Sequence, residues 1–135
     1  MKKLIFVALL IFSMAALAAC GGGTSGGAVP GEDYIVDEPM PSGAEDARKI
    51  ELDFTPETIK PNEVTMKAGE KILFVIANTD EEEEHNFLDP NAELKEILVH
   101  PGQTVRRLWT APTEPGVYEP NCAIHPWIRM TFIVE

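Results

Sequence analysis

The chain has 135 residues, enough for one domain of ordinary size and too few for two. Its 22 acidic residues outnumber 11 basic ones, for a formal charge of −11 at pH 7. So acidic a surface argues against nucleic acid and anionic lipid headgroups as partners, and suits a cationic partner or simple solubility.

In chain order, Met1, Lys2 and Lys3 form a short positive start, and Leu4 to Ala19 an apolar run that ends in small residues. This is the pattern of a secretory leader, too short for a comfortable membrane span. Leu17-Ala18-Ala19-Cys20 resembles the bacterial lipobox, in which the leader is cut before the cysteine and the thiol receives lipid. The other reading is an ordinary leader whose cleavage site contains a cysteine. The expectation is therefore a lipoprotein signal over residues 1–19, lipid attachment at Cys20, and an extracytoplasmic location on a bacterial membrane. Residues 20–46 are rich in glycine and proline and show no sustained apolar period, so they read as a flexible linker. Within them, Tyr34-Ile35-Val36 is the stretch able to pack on a domain edge.

From about residue 47 the texture changes. Lys49 to Phe54 alternates polar and apolar, as a half-buried strand does. Pro56 and Pro61 interrupt the next stretch. Short strands are expected over 63–67, over 71–77 (apolar enough to be buried on both faces), from His85, over 96–99, over 104–110, at Val117-Tyr118 and over 129–134, with one helical turn over 91–95. Many short strands separated by turn signals predict an all-β, Greek-key β-sandwich spanning residues 47–135.

The chain has two cysteines. With Cys20 assigned to lipid, Cys122 has no disulfide partner in the chain, and a lone thiol in an oxidising compartment needs a role or deep burial. Cys122 and His125 share one loop, and His85 lies far upstream at a predicted strand start. Two imidazoles and a thiolate form the trigonal donor set of a blue-copper centre, which suits both oxidation states of the metal. Zinc is the competing ion for such donors, but a structural zinc site takes four. His100, in a Pro-Gly turn, is the remaining histidine.

The joint pattern resembles the small cupredoxins, a family that includes plastocyanin, amicyanin and auracyanin. The resemblance covers about residues 48–135. It rests on Val64 to Glu70, Ile72 to Asn78, His85-Asn86, Pro115-Gly116-Val117-Tyr118, and Cys122 with His125-Pro126. It implies one type 1 copper ion with His85, Cys122 and His125 as equatorial ligands, and Asn86 tying the ligand loops together through hydrogen bonds. It also implies single-electron transfer rather than enzymatic turnover. A catalytic copper would need further histidines, and the chain has three in all.

The axial position departs from the amicyanin pattern, which would place a methionine where Ile128 stands. The plastocyanin-like spacing reaches Met130 instead. Met130 is then either the axial ligand on a longer loop or a strand methionine filling the core, and ligation is taken as the expectation. Pro126, Trp127 and Ile128 would form the apolar docking patch around the second histidine, with a tryptophan packed into the sandwich as the other reading. The run Glu81 to Glu84 either steers a basic cytochrome or is a solvated loop. The partners implied are a cytochrome or membrane oxidoreductase, with the membrane reached through the lipid and a monomer as the default. The alternative function is a copper delivery or storage module for a copper oxidase.

Overall fold

The computed structural model describes residues 34–135. The expected leader, the lipid attachment at Cys20 and the linker as far as residue 33 lie outside the described residues. Nine strands and one short 3₁₀ turn follow: β1 Arg48–Phe54, β2 Ile59–Lys60, β3 Glu63–Met66, β4 Lys71–Asn78, β5 His85–Asp89, the turn Pro90–Ala92, β6 Leu94–Val99, β7 Thr104–Thr110, β8 Gly116–Tyr118 and β9 Thr131–Val134. They assemble into a four-stranded sheet in the order β2-β1-β4-β7, a three-stranded sheet β3-β9-β8, and the pair β5-β6. The architecture is the expected all-β sandwich. The helical turn falls slightly earlier than predicted, because Asp89 caps it by accepting from the Asn91 amide and Glu93, at φ 52°, ends it. The two-residue β2 was not anticipated between its flanking prolines.

Alternation in the strands builds the core. In β1, Ile50, Leu52 and Phe54 turn inward, and in β9, Phe132 and Val134 do. β4 lies between β1, with which it runs parallel, and the antiparallel β7, so Ile72, Leu73 and Phe74 are buried in succession. Phe74 stacks on Phe132 at 5.8 Å and meets Phe87 edge-on at 5.7 Å, joining three strands of three different sheets. Each such side chain removed from water contributes about 1.5–3 kcal/mol.

The last part of the segment read as linker is held against the sheet. The Thr104 amide donates to the Val36 carbonyl at 2.7 Å, and the Glu38 amide donates to the Thr104 carbonyl at 3.0 Å. The Gln103 side-chain amide donates to the Ile35 carbonyl at 2.8 Å, and the Tyr34 hydroxyl to the Pro101 carbonyl at 3.0 Å. These bonds cover β7, which would otherwise be an open sheet edge. The Glu38 carboxylate grips the Arg107 guanidinium in a fork and accepts from the Arg106 amide at 3.1 Å. Burial pushes the Glu38 carboxyl up, but the bonds and charges of Arg107 and Arg106 outweigh it and hold it below the ordinary 4.5.

A carboxyl lowered on folding stabilises above its unfolded range and loses that contribution as pH falls through its folded value. Glu38→Gln is thus expected to cost about 1 kcal/mol at neutral pH. The difference from the parent should shrink below the ordinary glutamate range. Thermal unfolding across pH checks this, and an equal difference at every pH would contradict it.

Candidate metal centre

His85 opens β5 and pairs across to Val99 of β6. Its ring is fully buried and stacks flat on Phe54, with centroids 4.9 Å apart. The β5–β6 register breaks between Phe87 and Asp89, and this irregularity frees the Leu88 backbone to exchange two hydrogen bonds with Asn121, at 3.1 and 3.3 Å. Asp89 adds a second tie by accepting from the Glu119 amide at 3.0 Å. The segment before Cys122 is thereby fixed to the strand that carries His85. The returning arm closes the loop: the Cys122 amide donates to the Ile128 carbonyl at 3.1 Å, the Ile128 amide to the His125 carbonyl at 2.9 Å, and the Met130 amide to the Pro120 carbonyl at 2.9 Å.

This loop brings three donors together. Cys122 Sγ lies 3.7 Å from His85 Nδ1 and 3.7 Å from His125 Nδ1, and the two Nδ1 atoms are 3.1 Å apart. Donors sharing one ion at bond lengths of about 2.0–2.3 Å fall about 3–4 Å from one another. All three side chains are buried, and among the described residues they are the one group of this kind that can hold a metal. Cys122 is a free cysteine.

The surrounding hydrogen bonds favour the metal-ready form of each donor. The Asn86 and His125 amides both donate to Cys122 Sγ at 3.4 Å, which suits a thiolate. His85 Nε2 faces Asp80 Oδ2 at 3.3 Å, and His125 Nε2 faces Glu83 Oε2 at 2.5 Å. A carboxylate accepts and does not donate, so each contact matches an imidazole with its N–H on Nε2, the tautomer whose Nδ1 lone pair faces inward. Burial holds the His85 imidazole below its ordinary 6.5, keeping it neutral and able to ligate. Burial also pushes the Asp80 carboxyl up, but the Glu82 and Glu83 amides and His85 outweigh this, and it stays ionised. Two imidazole nitrogens and a sulfur thus converge, an arrangement that fits a soft-to-borderline cation.

The Asn86 side chain joins β5 to the cysteine loop. Its Oδ1 accepts from the Ala123 amide at 2.7 Å and the Ile124 amide at 3.4 Å, while its Nδ2 donates to Glu96 Oε1 at 2.7 Å. Met130 is buried in the core cluster together with Phe132 and Val134. His100 stands apart from the three donors; it stacks on Tyr34 at 4.4 Å and lies 3.5 Å from Glu84. No fourth nitrogen or sulfur from histidine or cysteine completes a closed zinc set among the described residues.

The apolar patch needs one correction. Pro126 and Trp127 are exposed, Trp127 to 64%, but Ile128 is 1% exposed and belongs to the core. Its backbone closes the ligand loop on both sides, which turns its side chain inward. Ile124, 42% exposed, is a large aliphatic residue of this loop that faces outward. Trp127 meets the His125 ring edge-on at 5.1 Å, so the tryptophan stands beside the donor set rather than inside the sandwich.

Sequence reasoning missed Asn78, Asp80 and Glu83 as parts of the site. Asn78 Nδ2 donates to the Glu83 carbonyl at 2.9 Å and the Val99 carbonyl at 3.0 Å, and its Oδ1 accepts from the Asp80 amide at 2.9 Å. The Asn-Thr-Asp start of the loop is a turn signature, and it was the available signal.

The class of protein this defines is a β-sandwich with a two-histidine, one-cysteine centre at one end. The family model for the cupredoxin-like domain matches residues 4–134, and the chain belongs to that family. Among solved structures it is similar in fold to auracyanin A, a "blue" copper protein from Chloroflexus aurantiacus, at 18% identity and a TM-score of 0.55, covering 66% of this chain and 99% of that one. Auracyanin from Roseiflexus castenholzii aligns at 20% identity and a TM-score of 0.54, covering 66% and 98%. The metal-binding domain of the Streptococcus pneumoniae Cu(I)-exporting P-type ATPase aligns at 14% identity and a TM-score of 0.58, covering 78% and 99%. A comparison with curated proteins finds no match.

Proposed function

We propose that the domain holds one type 1 copper ion and carries single electrons between membrane-associated redox partners. The observation that supports this most directly is the convergence of His85 Nδ1, His125 Nδ1 and Cys122 Sγ, with both outer imidazole nitrogens facing carboxylates. Bound copper supplies the one-electron Cu(II)/Cu(I) couple. The protein holds the two imidazoles and the thiolate in one arrangement that serves both states, keeps them from water, and makes or breaks no bond in a substrate. Met130 is the proposed axial ligand. Pro126 and Trp127, joined by Ile124, are the proposed docking surface. A cytochrome or membrane oxidoreductase with a basic face is the proposed partner, given the acidic charge of the chain.

A lipid at Cys20 would hold the protein on the extracytoplasmic face of a bacterial membrane and raise its local concentration near membrane redox complexes. Tyr34, the first described residue, stacks on His100, which lies 3.5 Å from Glu84 in the loop before His85. Copper delivery to an oxidase is the second reading. Burial of all three donors argues against it, since a transfer site needs access for the incoming ligand.

The test is the optical and electron paramagnetic resonance spectrum of the chain loaded with Cu(II), beside Met130→Leu. An intense visible charge-transfer band with a small copper hyperfine splitting is expected. A shift of that band in Met130→Leu makes Met130 the axial ligand, and an unchanged band makes it a core residue. A colourless protein would overturn the electron-carrier reading.

A further inference from the structure

The loop between β4 and β5 reaches over the outer edge of the second histidine. Glu83 is bound at both ends of its backbone: its carbonyl accepts from Asn78 Nδ2 at 2.9 Å and its amide donates to Asp80 Oδ1 at 3.2 Å. Its side chain is 62% exposed, yet Oε2 sits 2.5 Å from His125 Nε2. Trp127 packs on the same ring. The imidazole edge through which His125 would meet solvent therefore carries an acidic cap drawn from a run that otherwise reads as a solvated loop.

We propose that Glu83 is a positioning residue for the metal centre: its carboxylate fixes the proton of His125 on Nε2, aims Nδ1 at the site, and lowers the reduction potential of the bound ion. A neutral imidazole has one N–H, so a carboxylate at Nε2 selects the tautomer whose free lone pair is on Nδ1. The same negative charge makes the ring a stronger donor and favours the more highly charged state of the metal. His125 needs this support more than His85 does. His85 is locked by β5, by Phe54 and by the buried Asp80, whereas His125 lies on a loop. The effect on potential rests on the copper reading above; the effect on the tautomer does not.

Three variants of the full chain separate charge from geometry. Glu83→Gln keeps an oxygen that accepts from Nε2 and removes the charge. Glu83→Ala removes both, and Glu81→Gln removes one charge from the same loop. In copper-loaded protein, Glu83→Gln is expected to favour Cu(I) by about tenfold, an upward shift of 59 mV for a one-electron couple. Glu81→Gln should move it by less than a third of that. Equal shifts in the two would reduce Glu83 to background charge and overturn its tuning role.

In metal-free protein at about pH 8, where an unperturbed histidine is neutral, imidazole nitrogen NMR should show His125 as the Nε2–H form in the parent and in Glu83→Gln. Glu83→Ala should show a mixture of tautomers. A pure Nε2–H form in Glu83→Ala would overturn the positioning role. This readout holds if none of the proteins binds copper, so failure of the copper reading and failure of this one are distinguishable.

Discussion

Cys122→Ser is expected to abolish the visible charge-transfer band of the Cu(II)-loaded protein and to weaken Cu(II) binding by more than about 100-fold, the upper end of what loss of an outer-sphere partner costs. The thiolate is the one donor of the three that gives copper an intense visible transition and a strongly covalent bond. The hydroxyl that replaces it is neutral and a poor ligand at neutral pH. The fold should survive. Cys122 Sγ accepts two backbone N–H groups at 3.4 Å, and a serine oxygen can accept the same pair, so metal-free stability should change by no more than about 1–2 kcal/mol. Titration with Cu(II), followed by absorbance and paramagnetic resonance, reads the first effect, and denaturant unfolding of the metal-free protein reads the second. A variant that keeps the band would remove Cys122 from the ligand set. His100→Ala is the matched control. His100 lies outside the donor set, so the band should stay where it is.

Asn78→Ala, at the end of β4, is expected to be the most destabilising change among the residues that frame the site. Asn78 is buried, and its amide makes three hydrogen bonds: to the Glu83 and Val99 carbonyls and from the Asp80 amide. Alanine leaves all three backbone groups without this partner. At about 1 kcal/mol net for each, and more where water cannot enter, the loss is about 3 kcal/mol. For a domain of this size that lowers Tm by roughly 10–20 °C. Because Asp80 and Glu83 are held by the same amide, both imidazoles also lose their outer carboxylates' fixed placement. The metal-free His125 ring should then show mixed tautomers even though Glu83 is present. Calorimetry of the metal-free protein measures the first effect, and a loss below 1 kcal/mol would mean that water replaces the amide.

The strands were legible because strand alternation is a local signal. Lys49 to Phe54 and Glu63 to Lys67 show it in their own residues, and both strands form where expected, to within a residue. Cys122 and His125 were legible for a similar reason: a short loop carries both donors, so spacing alone keeps them near each other. Asn86 was legible only through the resemblance to the cupredoxins. The side chains around them were not legible. Ile128 reads as part of an apolar surface run, yet the hydrogen bonds of its backbone to Cys122 and His125 turn it into the core and leave Ile124 outside. Glu83 is one of four consecutive glutamates, and nothing local separates it from its neighbours. The bonds from Asn78 and to Asp80 select it. Tyr34-Ile35-Val36 read as able to pack on a domain edge, but which edge was settled by the open side of β7.

By itself, the sequence determined the all-β class and the cysteine–histidine loop, because alternation and short spacing act within a few residues of chain. It also determined the acidic charge, which needs no fold at all. The tertiary structure alone decided which carboxylates meet the imidazoles, which isoleucine faces water, and where the N-terminal strap lies. Those outcomes depend on backbone hydrogen bonds between segments far apart in the chain, and a side chain in a loop points wherever such bonds turn its backbone.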